Sequence, residues 1–254
     1  VTVISVLSTN GGVGKTTVAV NLARALASQK IPVVVIDLNP QNLLKVHFGV
    51  APNDVEGLAR ESLKQLSWKS VIREHASGVK FIPFGLISEV DRLAFEALLW
   101  NDSQWLRRQL QLLELPTSTI VIVDSPVTSS VLAKQVLRVS PFVLSVIKAD
   151  AASYVGVQLF ESMIQQARAM KIPLQKLYYL MNDIDLSFQL IRDTKEALRK
   201  GLGERLAPVL IHADVAVMEA LANQKTVLDY DQYSQASAEF EDLARWVMSS
   251  FIIN

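Results

Sequence analysis

Short runs of Val, Ile and Leu recur along the chain, and between them lie longer stretches in which apolar residues return at helical spacing. The short runs predict strands at 2–8, 32–37, 79–83, 119–124, 142–147, 176–181 and 206–211. Most are apolar throughout instead of alternating, the pattern of parallel strands covered on both faces. The longer stretches predict helices at 15–29, 87–114, 128–138, 152–170, 186–200, 214–224 and 231–250. Strand–helix alternation of this kind predicts an α/β fold, a doubly wound, mostly parallel sheet with helices on both faces. No repeat, low-complexity tract or Pro/Gly/Ser-rich linker divides the chain, so residues 1–254 read as a single domain. The segment at about 40–78 breaks the alternation, carries Trp68, and reads as a helical insertion over one sheet edge.

Composition narrows the chemistry. Half of the residues are apolar, enough for a large core without covalent staples. The 25 Lys and Arg balance the 25 Asp and Glu, whereas a chain built to coat nucleic acid or anionic lipid carries a positive surplus. Cysteine is absent, which removes disulfides, thiol nucleophiles and Cys-ligated metal centres. His47, His75 and His212 lie far apart, without metal-ligand spacing. The first residues run straight into an apolar strand with no charged leader, and no apolar run is long enough to span a bilayer. A cytoplasmic protein is the expectation.

The strongest chemical signal is Ser8-Thr9-Asn10-Gly11-Gly12-Val13-Gly14-Lys15-Thr16-Thr17, placed between a predicted strand and a predicted helix. A phosphate-binding loop requires that context. Glycines let successive backbone N–H groups turn toward phosphate oxygens, and the helix N-terminus adds partial positive charge. Lys15 is placed to bridge the terminal phosphates and the Thr16 hydroxyl to ligate Mg²⁺, so a nucleotide with Mg²⁺ is the expected ligand. Asp124 ends the run Ile120–Val123 and Asp37 ends the second strand, where carboxylates near a bound metal are found in such sheets.

The loop departs from the G-x-x-x-x-G-K-[ST] pattern because position 9 is Thr. It resembles the deviant Walker A motif, K-G-G-x-G-K-T-T, of the MinD/ParA group of dimeric P-loop ATPases, whose D-x-D-P-Q motif matches Asp37-Leu38-Asn39-Pro40-Gln41. Within that group the chain is similar to the BcsQ (YhjQ) family of cellulose-biosynthesis proteins. The segments that carry this narrower resemblance are Asn42-Leu43-Leu44 with Phe48-Gly49-Val50, Trp68, Ile82-Pro83-Phe84-Gly85, Asn182-Asp183, Leu210-Ile211-His212-Ala213-Asp214 and Met218-Glu219-Ala220-Leu221-Ala222. The resemblance implies a MinD/ParA-like fold and a nucleotide held by Asn10, Gly11, Gly12, Val13, Gly14, Lys15, Thr16 and Thr17. It implies adenine contact by Asn182 and metal contact by Thr16, Asp37 and Asp124. It further implies a homodimer across the nucleotide, a small BcsR-like partner, and docking on the cytoplasmic side of the cellulose synthase complex, with membrane contact only through partners.

Two departures bear on catalysis. The group's first motif Lys, which reaches the nucleotide of the partner subunit, is Asn10 here, and the second Asp of D-x-D-P-Q is Asn39. An amide hydrogen-bonds water but is no carboxylate base. Lys15, Asp37 and an attenuated Asn39 thus predict ATP binding with weak or negligible hydrolysis. The alternative is an active partitioning- or division-site-type ATPase cycling on DNA or membrane. For Asn182 a turn or capping role competes with base contact, Asp214 reads as a helix cap, and His212 as structural. Arg192, Lys195, Arg199 and Lys200 alternate with Asp193 and Glu196, as on a solvated helix. The apolar end from Trp246 to Ile253 reads as a helix packed on the sheet. Trp100, Trp105, Leu110, Leu112 and Leu113 read as core, with exposure as a docking surface the second option.

Overall fold

In the computed structural model, residues 1–128, 130–169 and 171–252 are described. Eight strands form one sheet: β1 (Thr2–Leu7), β2 (Val33–Asp37), β3 (Arg73–Glu74), β4 (Lys80–Ile82), β5 (Ile120–Asp124), β6 (Phe142–Ile147), β7 (Lys176–Ile184) and β8 (Leu206–His212). Their order is β3-β4-β2-β5-β1-β6-β7-β8, and every pairing is parallel except β3 with β4. The chain first builds outward from β1 on one side, returns through β5, and then crosses to β6 on the other. That reversal leaves the carboxyl end of β1 at a switch point, where doubly wound sheets open a crevice for ligands. Both margins of the sheet are blunted: β3 is two residues long, and β8 carries the exposed Pro208.

Alternate residues of each central strand enter two separate cores. Val3, Leu7, Val121, Val123 and Val143 pack under α2 (Leu58–Leu63), α3 (Glu89–Asn101), α4 (Trp105–Leu112), α5 (Val131–Leu137), α6 (Ala151–Ala169) and α7 (Gln189–Leu202). Ile4, Val6, Ile120, Ile122 and Leu144 pack under α1 (Lys15–Ser28), α8 (Val215–Ala222), α9 (Val227–Tyr230) and α10 (Gln235–Ile252). Both strand faces are dry, which is why the strand sequences lack alternation. Trp246 of α10 packs edge-on against Tyr178 at 4.9 Å, and Val247 beside it is fully buried. The predicted packing of the final helix therefore holds as far as its side chains are described; those of 251–254 lie outside the described residues. No helix among the described residues is long and apolar enough to cross a membrane.

Three expectations are corrected. The predicted helix 87–114 is two helices, broken after Asn101. The Asp102 carboxylate accepts from Gln104 N at 3.1 Å and pairs with Arg108, while Gln135 Nε2 donates to the carbonyls of Leu99 and Asp102 at 2.8 and 2.7 Å. These bonds satisfy the carbonyls left open by the break. The reorientation buries Trp105 but leaves Trp100 at 69% exposure with Lys134 over its ring, and Leu112 is also exposed. The predicted helix 128–138 begins only at Val131, capped by Ser130, whose hydroxyl accepts from Ala133 N. Strand β7 continues past Met181 to Ile184 through a bulge at which Asp183 adopts a positive φ of 59°.

Within 40–78 lie single 3-10 turns at Leu44–Phe48 and Trp68–Val71, helix α2 and strand β3. Trp68 is fully buried, packs edge-on against Trp105 at 5.3 Å, and donates its Nε1–H to Ser62 Oγ at 2.9 Å. Helix α2 is docked by its first N–H groups: Leu58 N donates to Pro83 O at 2.9 Å and Ala59 N to Phe84 O at 3.0 Å. The two chains approach so closely that a Cβ on Gly57 would lie 2.2 Å from Gly85 N. Backbone cannot yield there as a side-chain tip could, so Gly57→Ala should lower stability by about 2–3 kcal/mol in urea unfolding. Gly201→Ala on α7, where a Cβ meets nothing within 4 Å, should instead be neutral or slightly stabilising.

Candidate nucleotide site

The loop Ser8–Gly14 leaves β1 at the switch point and enters α1 directly. Gly12 and Gly14 have φ of 69° and 88°, conformations that disfavour any side chain. Gly14 is also the N-cap of α1, and a Cβ there would lie 2.4 Å from Asn182 Nδ2. Lys15 is 8% exposed and its Nζ donates to Ser8 Oγ at 2.8 Å and Asn10 O at 3.2 Å. Ser8 in turn donates to Asn10 O at 2.5 Å. The ammonium is thus held by the loop's own oxygens, with burial pushing its pKa down against the pull of Asp124.

Asp37 and Asp124 end adjacent strands in register, and both are fully buried. Thr16 Oγ1 donates to Asp124 Oδ2 at 2.6 Å, while Asp124 Oδ1 is buried without a partner. Burial raises the Asp124 pKa to about 6, against the Thr16 hydrogen bond and the Lys15 charge. Asp37 is pushed well above the usual carboxylate range by burial and then by the Asp124 charge. Its oxygens accept from Asn39 N at 2.8 Å and Leu44 N at 3.3 Å, so Asp37 ties down the segment after β2. Asn39 Oδ1 accepts from Gln41 N at 3.2 Å in a local turn.

This donor set fits Mg²⁺ bound with a phosphate. No group of three or more His, Cys, Asp or Glu able to hold a metal occurs among the described residues. Mg²⁺ commonly takes one or two carboxylates with substrate phosphates and water. Thr16 and the unpartnered oxygen of Asp124 would supply the protein's share, with Asp37 behind them.

A cleft of about 430 Å³ opens beside the loop, lined by Gly12, Gly14, Asn182, His212, Val215 and Met218 among others. Asn182 lies within β7, not after it, and its Nδ2 donates to Val13 O at 2.8 Å, which braces the loop. Asp214 caps α8, accepting from Ala216 N at 2.9 Å, and also accepts from Ala236 N of α10 at 3.0 Å. Gly11 and Thr17 complete the loop, with Thr17 on the cleft wall. Arg192 and Arg199 are occupied within α7 and the turn before it, Arg199 facing Glu196 at 3.9 Å. Sequence reasoning placed Ser8 in the loop without assigning its contact with Lys15, and it missed Gly156 of α6. A Cβ on Gly156 would lie 2.3 Å from Thr9 Oγ1 and 3.2 Å from Asn10 Oδ1. Only the residue type carried that signal, since the contact spans most of the chain.

Fold and loop together define a P-loop architecture like that of MinD. The chain belongs to the family described as cellulose biosynthesis protein BcsQ, whose sequence model matches residues 1–248. It is 28% identical over 256 residues to the cellulose biosynthesis protein BcsQ of Escherichia coli (strain K12), covering 98% of this chain and 95% of that one. Among solved structures it is similar to cobyrinic acid a,c-diamide synthase of Mycobacterium smegmatis, solved with bound ADP and magnesium. That match has a TM-score of 0.81 and 21% identity, covering 99% of this chain and 96% of the other. The cell division ATPase MinD of Pyrococcus furiosus gives a TM-score of 0.78 at 18% identity, with 98% and 99% covered.

Raised carboxylate pKa values make the ligand-free fold more stable as pH falls, because the folded state binds the protons more tightly. The Asp124 contribution is present below the unfolded value and lost as pH rises through about 6. Asp124→Asn should therefore flatten the pH dependence of unfolding between about pH 7 and 4 and stabilise the ligand-free chain at the upper end, by on the order of 2–3 kcal/mol. Thermal unfolding across that range, without nucleotide, checks both the sign and the residue.

Proposed function

We propose that the chain binds ATP with Mg²⁺, closes as a homodimer across the nucleotide, and serves as an assembly component of bacterial cellulose synthesis, with weak or negligible ATP hydrolysis. The observation that carries this reading is the pairing of an intact cradle with neutral groups at the two positions where the wider group has charge. Lys15 and the Thr16–Asp124 pair lie at the switch point, while Asn10 and Asn39 are amides. The backbone N–H groups of Gly11 to Thr16, with Lys15, would hold the phosphates, and bound Mg²⁺ would neutralise phosphate charge. Asn182 would face the base.

Hydrolysis needs more than binding. The Asn10 side chain lies against Gly156 of its own chain and carries no charge to offer a partner's phosphate. Such a cation is worth about 10³–10⁵ in rate where it acts. Asn39 cannot take a proton from water near neutral pH. Bound ATP would then act by mass action, stabilising the closed dimer that partners recognise, without turnover. Those partners, on the family's implication, are a small BcsR-like protein and the cytoplasmic side of the cellulose synthase, so the protein would work in the cytoplasm and reach the inner membrane only through them.

Three measurements test the reading. Calorimetry with ATP and Mg²⁺ should give saturable binding, and sizing should show a dimer only with ATP. Single-turnover hydrolysis should be slow, and Asn10→Lys combined with Asn39→Asp should raise its rate by at least tenfold, well inside the range of about 10³–10⁵ a cation can supply. Ordinary ATPase speed in the unmodified protein, or no gain in the double variant, would overturn the hydrolysis part.

A further inference from the structure

Helix α3 carries apolar side chains on two opposite faces. Phe95 and Leu99 are buried in the core beneath it. On the far side Val90 is 76% exposed, Leu93 55% and Trp100 69%, with the exposed Ala94 and Ala97 among them. Val90, Leu93, Ala97 and Trp100 follow one another at steps of three, four and three residues. That spacing forms the seam along which a second helix packs, and the two alanines let the backbones come close. A surface helix packed on one side only turns polar residues to water on the other, so a second apolar stripe calls for a second neighbour. Lys134 of α5 sits 4.6 Å from the centre of the Trp100 ring, and the ring stays exposed beside it. Leu98, one helical turn from Ala94, continues the apolar surface into a depression of about 370 Å³ that Trp105 and the exposed Leu112 also line.

The charges flanking the seam select its occupant. Glu89 and Glu96 lie on one flank and share a single cation, Arg92, whose Nε donates to Glu89 Oε2 at 2.9 Å. Asp91 lies on the other flank and accepts from the Ser88 hydroxyl at 2.8 Å. Three carboxylates against one guanidinium give this face an acidic surplus. A second copy of the chain, laid on the seam about a twofold axis, brings the same carboxylates together and is disfavoured. A helix with Lys or Arg beside its own apolar seam meets them with opposite charge.

We propose that α3 is the docking face for an amphipathic helix of another protein, one whose apolar seam is flanked by Lys or Arg. No residue of α3 lines the cleft beside the phosphate loop, so the proposal stands independently of the nucleotide reading.

The test uses the full chain and three synthetic helical peptides of about three heptads each, followed by fluorescence anisotropy. The first has a Leu and Ala seam with Lys and Arg flanks, the second the same seam with Glu flanks, and the third the composition of the first in scrambled order. The first should bind saturably, about tenfold or more tighter than either of the others, and should weaken several-fold as salt rises from about 0.05 to 0.3 M. Leu93→Ser and Trp100→Ser, both at exposed positions, should each cut its affinity about fivefold or more while leaving the urea midpoint unchanged. Val155→Ser, at an exposed apolar position of α6, should not. The emission lost in Trp100→Phe identifies that indole's share of the fluorescence, which should move to shorter wavelength when the first peptide binds. Scrambled peptide bound as tightly as the first would reduce the effect to bulk charge, and Glu-flanked peptide bound as tightly would remove the charge selection; either result overturns the proposal. So does failure of the first peptide to bind, or a nucleotide-free dimer in light scattering that Leu93→Ser dissolves, which would make a second copy the occupant.

Discussion

Two carboxylates ending neighbouring strands, Asp37 and Asp124, lie side by side at the carboxyl end of the sheet, both fully buried. Like charges in a dry setting resist ionisation together, so the local arrangement is unfinished until positive charge arrives. Lys15 supplies part of it from the phosphate loop. The parallel register of β2 with β5 and of β5 with β1 fixes the spacing of all three elements, and the reversal of chain direction at β1 leaves their carboxyl ends open. The whole sheet can be seen as a frame that keeps an acidic pair and a lysine at close quarters.

Around that pair the backbone is unusually constrained. Asp37 spends its oxygens on the N–H groups of Asn39 and Leu44, while Asp124 keeps one oxygen free of partners. One carboxylate therefore organises a loop and the other keeps an unpartnered oxygen beside Thr16, a division that identical positions at two strand ends do not reveal. The phosphate loop is braced from behind by Asn182 and from the side by Gly156. Each brace tolerates little added bulk, so the loop's shape is imposed by its surroundings as well as by its glycines.

The central strands were legible because both faces of each are apolar, and the loop because glycines, Lys15 and Thr16 follow a strand at fixed spacing. The helix break at Asp102 was hidden because no Gly or Pro marks it; a carboxylate and the distant Gln135 make it. The end of β7 was hidden because its apolar run stops where Asn182 turns to the cleft, although the strand continues. Trp100 and Leu112 show the limit of helical periodicity, which marks faces without saying which face finds a neighbour. Contacts such as His212 with Glu239, or Gly156 with Thr9, join remote segments and leave no local pattern.

The sheet's two margins have a wider meaning. A strand's outer edge is an invitation to further strands, and proteins that must not polymerise withdraw it. Here one border is a two-residue stub, and the other has a proline that cannot donate. Ribbon-to-ribbon growth through either border is thereby disfavoured.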